Sequence, residues 1–580
     1  MPQVVRFRKG RVGCNARAGE DPRHPERGNA RSQDDRRCDR RGVRHGSCRL
    51  PSALDDPILP TGHEGREPDR VTAVTPQAEG QEPPQPSQAH SFRRLTRDTL
   101  VYLSGTVLSR LVSFIMLPVY TRYLTPNDYG ILQILDLAMD VAAILVSAGA
   151  TAGTVRFYFK AKTDEERKNI LATAFAIQVV LNTVGTALLL LVSPLIWKHA
   201  LGGEGTLTMV RIAALNFTLG SVLGVPTALM QVRQQAGRFV VMNLVKLGLQ
   251  LGLNILFVVG LKLGPTGVLL SSTVTYVVLG ISLGVMLVRY TGFRFKWDIY
   301  KNFRRYGVPY QIATAGTFIL AYGDRFFLEH YHNLAVVGIY GVAYQFGFLL
   351  TGNIAGPFMR AWSPQRHMLV TAPRAVRDER YNRGALYGSL MLVTAAVGIS
   401  LFIRPVLQIM VTESFRTAAP FVPVILLAYL MQAWTSVVDF GIGVAEETKY
   451  STYATWIAVV VCLILYAVLI PPLAGMGAAI ATLVAMFVRL VLHYYWSQRL
   501  WPVSYELRPH LKLLAYGIAV VIPTFLLIPD RLVPQLVAGS ALLGAYAVLV
   551  WRTVLHDRER EMIGSLLHSP RDFAKLLAGA

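Results

Sequence analysis

The ionisable side chains within the long apolar stretches of this 580-residue chain include Arg110, Asp136, Asp140, Lys246 and Asp439. A charge inside a membrane-spanning helix is costly, so it usually faces a partner or a water-filled cavity. An arginine in such a cavity is suited to bidentate binding of an anion such as phosphate. A carboxylate there is suited to taking up and releasing a proton.

Arg110 and Asp140 are predicted at similar depths on two neighbouring antiparallel helices. Asp136 shares a helix face with Asp140, because the two residues are four apart. One interpretation is a structural ion pair between Arg110 and Asp140. The other places Arg110 in a cavity as an anion ligand, with Asp140 setting its orientation. The sequence leaves both open. Lys246 and Asp439 are predicted at similar depth from one side of the membrane.

Charges nearer the helix ends have simpler interpretations. Arg211 and Arg489 are predicted to extend their side chains to the membrane surface. Arg156 and Arg325 lie at helix–loop junctions, where they either set topology or contact a substrate. Asp324, beside Arg325, is predicted to make a local cap or a contact within the bundle.

Signatures of catalysis are missing from the sequence. It contains no HExxH helix, nucleophile elbow, P-loop or histidine cluster. The four cysteines (Cys14, Cys38, Cys48 and Cys462) match no zinc-binding spacing. We therefore expect no enzyme activity, no cofactor and no metal site.

The elements that position these charges are apolar segments of membrane-spanning length. The chain is 52% hydrophobic with a mean hydropathy of +0.38, and a crossing needs roughly 20 apolar residues. The sequence therefore predicts an all-α polytopic membrane protein of about fourteen helices. The predicted spans are 98–121, 131–155, 169–195, 206–230, 238–260, 265–288, 305–325, 334–358, 384–411, 418–441, 451–471, 473–497, 510–528 and 532–551.

The distribution of positive charge predicts orientation. With a cytoplasmic N-terminus, the inner loops hold about 29 Lys and Arg residues and the outer loops about 7. Both termini are thus expected in the cytoplasm. The net charge of +22 lies mostly in these loops and in the N-terminal tail, so no nucleic-acid partner is expected.

Residues 1–90 are rich in Arg, Pro and Gly and show no hydrophobic periodicity. Such a composition predicts a disordered tail. One interpretation is a basic arm that touches anionic lipid; the favoured one is an over-extended start. Deleting residues 1–90 should leave transport nearly unchanged, as measured in membranes with matched expression. Loss of transport in a well-expressed truncation would contradict this interpretation.

Two parts of the chain repeat. The turn that leads to Gly130, together with Arg122, has a counterpart in Asp324–Arg325 and Gly338. The starts of the sixth and twelfth helices, near 264–267 and 475–477, are also about 210 residues apart. The repeat predicts two pseudo-symmetric six-helix lobes, typical of transporters. The predicted divisions are a lobe over 91–300, a lobe over 301–499, and an extra helix pair with a tail over 500–580.

Several short motifs occur in order between residues 95 and 500. They are Leu117–Gly130, Val155–Tyr158, Tyr322–Arg325, Val337–Tyr340 with Ala343–Tyr344, Ala361–Pro364 and Leu473–Ala481. In this order they resemble bacterial polysaccharide flippases of the multidrug/oligosaccharidyl-lipid/polysaccharide exporter superfamily. The last two helices match mainly in hydrophobicity.

The resemblance implies alternating access around a central cavity and an isoprenoid-pyrophosphate-linked oligosaccharide as substrate. The motifs of the family do not mark the ligands of such a substrate. From their position in the apolar stretches and at the helix ends, Arg110, Lys246 and Arg156 are the candidate ligands of the pyrophosphate, and Asp140 or Asp439 are candidate proton carriers. The resemblance further implies the bacterial inner membrane as the location. Expected partners are membrane lipid, a polysaccharide polymerase and chain-length proteins.

Other functions compete with this one. A drug or cation exporter of the same superfamily typically has twelve helices and an acidic cavity. A membrane glycosyltransferase or ligase would carry acid/base residues in a large outer loop, which the sequence lacks. A lipid-linked scaffold for sporulation or wall synthesis is a third alternative.

Overall fold

The structure, a computed structural model, describes residues 116–560 except 147–149, 234 and 558. The tail over 1–90 and Arg110 lie outside these residues. The described part is built of helices, with no β-strand in it.

The helices of the N-terminal half are α1 (residues 116–123), α2 (Pro126–Val146), α3 (Ala150–Lys160), α4 (Asp164–Ala200), α5 (Leu207–Ser221), α6 (Gly224–Val232), α7 (Ala236–Asn254) and α8 (Gly264–Thr291). Those of the C-terminal half are α9 (Trp297–Tyr322), α10 (Asp324–Tyr331), α11 (Leu334–Leu349), α12 (Gly356–Met368), α13 (Arg374–Met410), α14 (Phe421–Val438), α15 (Phe440–Val444), α16 (Lys449–Leu500), α17 (Leu507–Leu526) and α18 (Leu532–Thr553). Two π-helical segments, Ile255–Gly260 and Leu350–Ala355, continue α7 and join α11 to α12.

Polar residues in the short loops start several helices. Thr163 caps α4, and it forms a reciprocal capping box with Glu166. Thr206 and Asn333 cap α5 and α11 by accepting hydrogen bonds from backbone N–H groups. These side chains satisfy donors that the first helical turn leaves free. The loops can therefore be short, as the sequence suggests.

Eleven helical stretches of the described residues are long and apolar enough to cross a membrane. One of them, α16, has 52 residues and a non-helical backbone at Ala474. Tyr466 and Thr482 share a hydrogen bond of 2.9 Å, whereas a straight helix would separate them by about 24 Å. α16 is therefore a hairpin of two crossings, as the predicted spans 451–471 and 473–497 require.

The stretch α9 is less apolar than these, because it begins at Trp297 and includes Lys301, Arg304 and Arg305. The predicted span began only at residue 305. The helical region also ends later than the predicted span, because α10 follows α9 directly and extends to Tyr331. With α1 and α9 added and α16 counted twice, the described helices are consistent with fourteen crossings.

The two lobes match element by element. α4 and α13 each have 37 residues and start 210 positions apart, and each carries a proline near its C-terminal end, Pro194 and Pro405. The α7–α8 and α16 hairpins both close on a glycine. An added Cβ at Gly267 would lie 3.1 Å from the Phe257 backbone, and one at Gly477 would lie 2.1 Å from the Leu469 carbonyl oxygen. The predicted equivalence of these helix starts is confirmed in three dimensions.

Candidate functional site

The helices α2 and α11 cross at two glycines. A Cβ added at Gly130 would lie 1.9 Å from the Leu334 carbonyl oxygen, and one at Gly338 would lie 2.0 Å from the Pro126 carbonyl oxygen. Each glycine thus meets the first residue of the opposite helix, and both pairs are related by the same offset of 208 positions. The contact is a reciprocal one between the lobes. We call this end of the bundle the crossing end, and the opposite end, which holds the basic loops, the basic end.

Hydrogen bonds strengthen the lobe contact at the crossing end. Thr412 Oγ1 donates to the Thr121 carbonyl at 2.9 Å, and Thr121 Oγ1 lies 3.4 Å from the Met410 carbonyl. The Tyr129 and Phe415 rings meet edge to face with centroids 6.1 Å apart. Thr121 is 2% exposed, so these contacts close the crossing end to solvent at this point.

The crossing helix α11 leaves regular α-helical geometry deeper in the bundle. The π-helical segment Leu350–Ala355 separates it from α12. A segment of this kind allows a helix to bend.

At the basic end the lobes are linked by α9. Its Phe303 side chain occupies the space over Gly153 of α3, 2.5 Å from a Cβ added there, and its ring lies 5.2 Å from that of Phe157. Further along, Gly316 of α9 packs against Thr455 of α16. α9 therefore contacts helices of both lobes.

A polar cluster in the N-terminal lobe gathers three of the predicted residues. Asp136 and Asp140 are exposed on α2, and both interact electrostatically with Tyr276 of α8. The ammonium group of Lys246 on α7 lies 5.3 Å from the Tyr276 ring centre. Lys246 and the two carboxylates therefore share Tyr276 as a neighbour, whereas Asp439, predicted at a similar depth to Lys246, belongs to the other lobe.

Amide and hydroxyl side chains extend this polar cluster. Asn254 of α7 donates to the Tyr120 hydroxyl at 2.8 Å, and Thr273 of α8 donates to the Asn216 side chain at 2.7 Å. Such a cluster of polar groups is suited to a hydrated substrate. Sequence analysis missed Tyr276, because an aromatic residue in an apolar helix carries no distinguishing signal.

Other predicted residues stand apart from this cluster. Arg110 lies outside the described residues, so its pairing with Asp140 stays a prediction. Arg156 is exposed on α3, and Arg122 is exposed at the end of α1. The structure thus groups Lys246 with the carboxylates and leaves Arg156 at the basic end.

Asp324 and Arg325 form a buried ion pair in the C-terminal lobe. Arg325 Nη1 lies 2.8 Å from Asp324 Oδ1, and the side chains are 1% and 0% exposed. The hydroxyls of Tyr340 and Tyr344 donate to Asp324 Oδ2 at 2.8 and 3.0 Å. The Arg325 guanidinium lies 4.0 Å from the Tyr344 ring centre. In this conformation the pair joins α10 to α11 and leaves no access to substrate at Arg325.

Asp439 joins α14 to α15 and interacts electrostatically with Arg366 of α12 and Arg489 of α16. The predicted extension of Arg489 to the membrane surface is not what the structure shows. Arg489 lies on the same face of α16 as buried Thr482 and His493. Sequence analysis missed His493 because a single histidine in an apolar run is more often a core residue. Among the described residues, no three His, Cys, Asp or Glu side chains are arranged to hold a metal ion.

The comparisons with known proteins agree with this architecture. Residues 95–369 match the sequence family described as "Polysaccharide biosynthesis protein". The structure titled "Lipid II flippase MurJ, inward closed conformation" superposes with a TM-score of 0.61 at 13% identity, covering 79% of this chain and all of the other. An inward-facing multidrug resistance MATE family transporter of the MOP superfamily gives 0.55 at 15% identity, covering 69% and 97%. Among curated proteins, the sequence comparison found no match.

Proposed function

We propose that this chain, whose residues 95–369 match the family described as "Polysaccharide biosynthesis protein", is a flippase for isoprenoid-pyrophosphate-linked oligosaccharide. The fold is that of a lipid-linked flippase or exporter of the superfamily. In the proposed reaction the protein carries the oligosaccharide from the cytoplasmic to the outer face of the bacterial plasma membrane. Polysaccharide polymerase and chain-length proteins would then receive the product.

The reciprocal contact of Gly130 and Gly338 is the observation that carries this mechanism. It holds the two lobes together at the crossing end, while the π-helical break between α11 and α12 lies deeper in the bundle. Alternating access requires one end to close as the other opens. The positive charge of the loops favours a cytoplasmic basic end, so the crossing end would be the outer gate.

The polar groups of the substrate need a hydrated, positively charged route, while the isoprenoid chain can stay in the bilayer. Lys246 lies in the N-terminal polar cluster and Arg156 at the basic end. With Arg110 they are the proposed ligands of the pyrophosphate. Asp136, Asp140 and Asp439 are the proposed coupling or cavity carboxylates.

The test is the lipid composition of the host membrane after deletion of the gene. We expect lipid-linked oligosaccharide to accumulate and to resist an outside glycosidase until the membrane is opened. Complementation with the full chain should remove it.

The exposed carboxylates Asp136 and Asp140 favour a second candidate, an exporter of cationic drugs. A MATE transporter shares the fold, and an acidic cavity suits a cation. The same deletion separates the two functions, because the exporter predicts sensitivity to cationic drugs and no accumulated lipid.

Arg110→Ala is expected to abolish export while the protein still inserts into the membrane. Loss of a charge contact in a desolvated site costs about 2–5 kcal/mol, so transport should fall by at least about 30-fold. The measurement is flipping of lipid-linked oligosaccharide in reconstituted vesicles. Arg211→Ala, at an exposed position on α5, is the matched control. Full activity of the Arg110 variant would remove Arg110 from the site.

A further inference from the structure

The pseudo-symmetry allows equivalent positions in the two lobes to be compared. Leu223 directly precedes α6, and Asp439 directly precedes α15. The two residues have nearly the same backbone angles, with φ −71° and ψ −17° at Leu223 and φ −70° and ψ −8° at Asp439. The hairpin glycines Gly267 and Gly477 set an offset of 210 for the following helices. By this offset, Leu279 corresponds to Arg489 and Leu283 to His493.

In the N-terminal lobe these positions are packed apolar core. Leu223, Leu279 and Leu283 are 8%, 6% and 9% exposed and belong to one hydrophobic cluster with Met230. The fold therefore needs no charge at this depth. In the C-terminal lobe the same three positions hold Asp439, Arg489 and His493, which are costly in a membrane-spanning helix.

The groups of the C-terminal lobe are poorly satisfied by one another. His493 is 1% exposed, and neither ring nitrogen has a hydrogen-bond partner. Arg489 forms no hydrogen bond or ion pair with any described residue, and its Nε is buried without a partner. Buried polar groups in native proteins are normally paired, so the missing partner is informative.

Arg366 of α12 adds a second guanidinium to the group. It donates to the Ser436 carbonyl at 2.9 Å and stacks 4.6 Å from the Phe440 ring centre, and its Nε is also buried without a partner. Asp439 is within electrostatic range of Arg366 and Arg489 but forms no ion pair with either. Two guanidiniums and one carboxylate leave a net positive charge.

We propose that Arg366, Arg489 and His493, oriented by Asp439, form an anion-binding subsite in the C-terminal lobe that takes a phosphate group. Guanidinium forks match phosphate oxygens in a bidentate manner, and the free imidazole supplies a further N–H donor. The assignment of this phosphate to the pyrophosphate of a lipid-linked substrate rests on the proposed function. The subsite would then receive the headgroup in the lobe opposite Lys246.

The leucines at the equivalent positions of the N-terminal lobe define the substitutions for the test. The triple variant Asp439→Leu, Arg489→Leu and His493→Leu restores the three leucines, so it is expected to fold and to melt no lower than the parent. Binding of inorganic pyrophosphate and of farnesyl pyrophosphate is measured by calorimetry on the full chain in detergent. We expect at least about tenfold weaker binding of both anions by the triple variant.

Two further variants keep the test decisive. Arg499→Leu changes an exposed arginine on the same helix and should bind like the parent. Arg489→Lys keeps the positive charge but loses the two-pronged guanidinium, so it should bind with intermediate affinity. If the triple variant fails to fold, Arg489→Lys takes its place in the test. Unchanged affinity in the triple variant, or in Arg489→Lys if it stands alone, would overturn the proposal.

The two probes separate the sources of the phosphate. Much tighter binding of farnesyl pyrophosphate than of inorganic pyrophosphate, lost in the triple variant, would identify a lipid headgroup. Equal binding of the two, also lost, would identify a subsite for the pyrophosphate group irrespective of its carrier. Because binding is measured without transport, a chain that binds pyrophosphate but flips no lipid-linked oligosaccharide would contradict the proposed function alone.

Discussion

Replacing Gly338 with leucine is expected to stop transport while the protein remains folded in the membrane. A Cβ at this position would lie 2.0 Å from the Pro126 carbonyl oxygen, far inside van der Waals contact. The clash is with backbone, so side-chain rotation cannot relieve it, and α2 and α11 must separate. Overpacking of this kind costs about 1–3 kcal/mol, all of it in the conformation closed at the crossing end. Gly130→Leu should act in the same way, because the contact is reciprocal.

The measurement combines transport with accessibility of the crossing end. A cysteine introduced in place of Thr121, which is 2% exposed, should react slowly with a membrane-impermeant maleimide in the parent and much faster in the Gly338 variant. Transport in vesicles should fall by at least about fivefold. Gly544→Leu on α18, where an added Cβ meets nothing within 4 Å, is the control. Parent-like transport with slow labelling would show that the crossing is not a gate.

The sequence predicts the equivalence of the two glycines at the crossing but not their contact. Hydropathy, loop charge and the repeat are local or evenly spaced properties, so they predict the helices, the lobes and the equivalence of Gly130 with Gly338. That the two glycines touch does not follow from the repeat, because equivalent positions need not meet. The contact depends on how the lobes pack around their pseudo-symmetry axis.

Neighbours among the charges were harder to predict. The sequence predicts Lys246 at the depth of Asp439 but does not predict that Lys246, Asp136 and Asp140 share Tyr276 as a neighbour. Depth along a helix follows from counting residues, but the partner across the bundle follows from rotation and tilt of the helix. Arg489 shows the same limit. Its position near the predicted end at residue 497 suggested the membrane surface, whereas it lies on the face of α16 that holds buried Thr482 and His493.

Breaking the buried pair of Asp324 and Arg325 is expected to give the largest loss of stability in the chain. Asp324→Ala leaves the Arg325 guanidinium without its carboxylate at 1% exposure and leaves the hydroxyls of Tyr340 and Tyr344 without an acceptor. Loss of one partner of a buried ion pair costs about 3–5 kcal/mol. The free energy of unfolding in detergent should fall by that amount, and folded protein in membranes should decrease with it.

Two companion variants assign this loss to the uncompensated charge. Asp324→Leu combined with Arg325→Met removes both charges and should recover much of the stability, because an apolar pair avoids the desolvation cost. Glu379→Ala removes the acid of an exposed pair with Arg383, whose side chains are 60% and 37% exposed, and should cost at most about 1 kcal/mol. If the double variant is no more stable than Asp324→Ala, the lost stability lies in the tyrosine hydrogen bonds and not in the charge. Recovery would instead assign the loss to the uncompensated charge of Arg325.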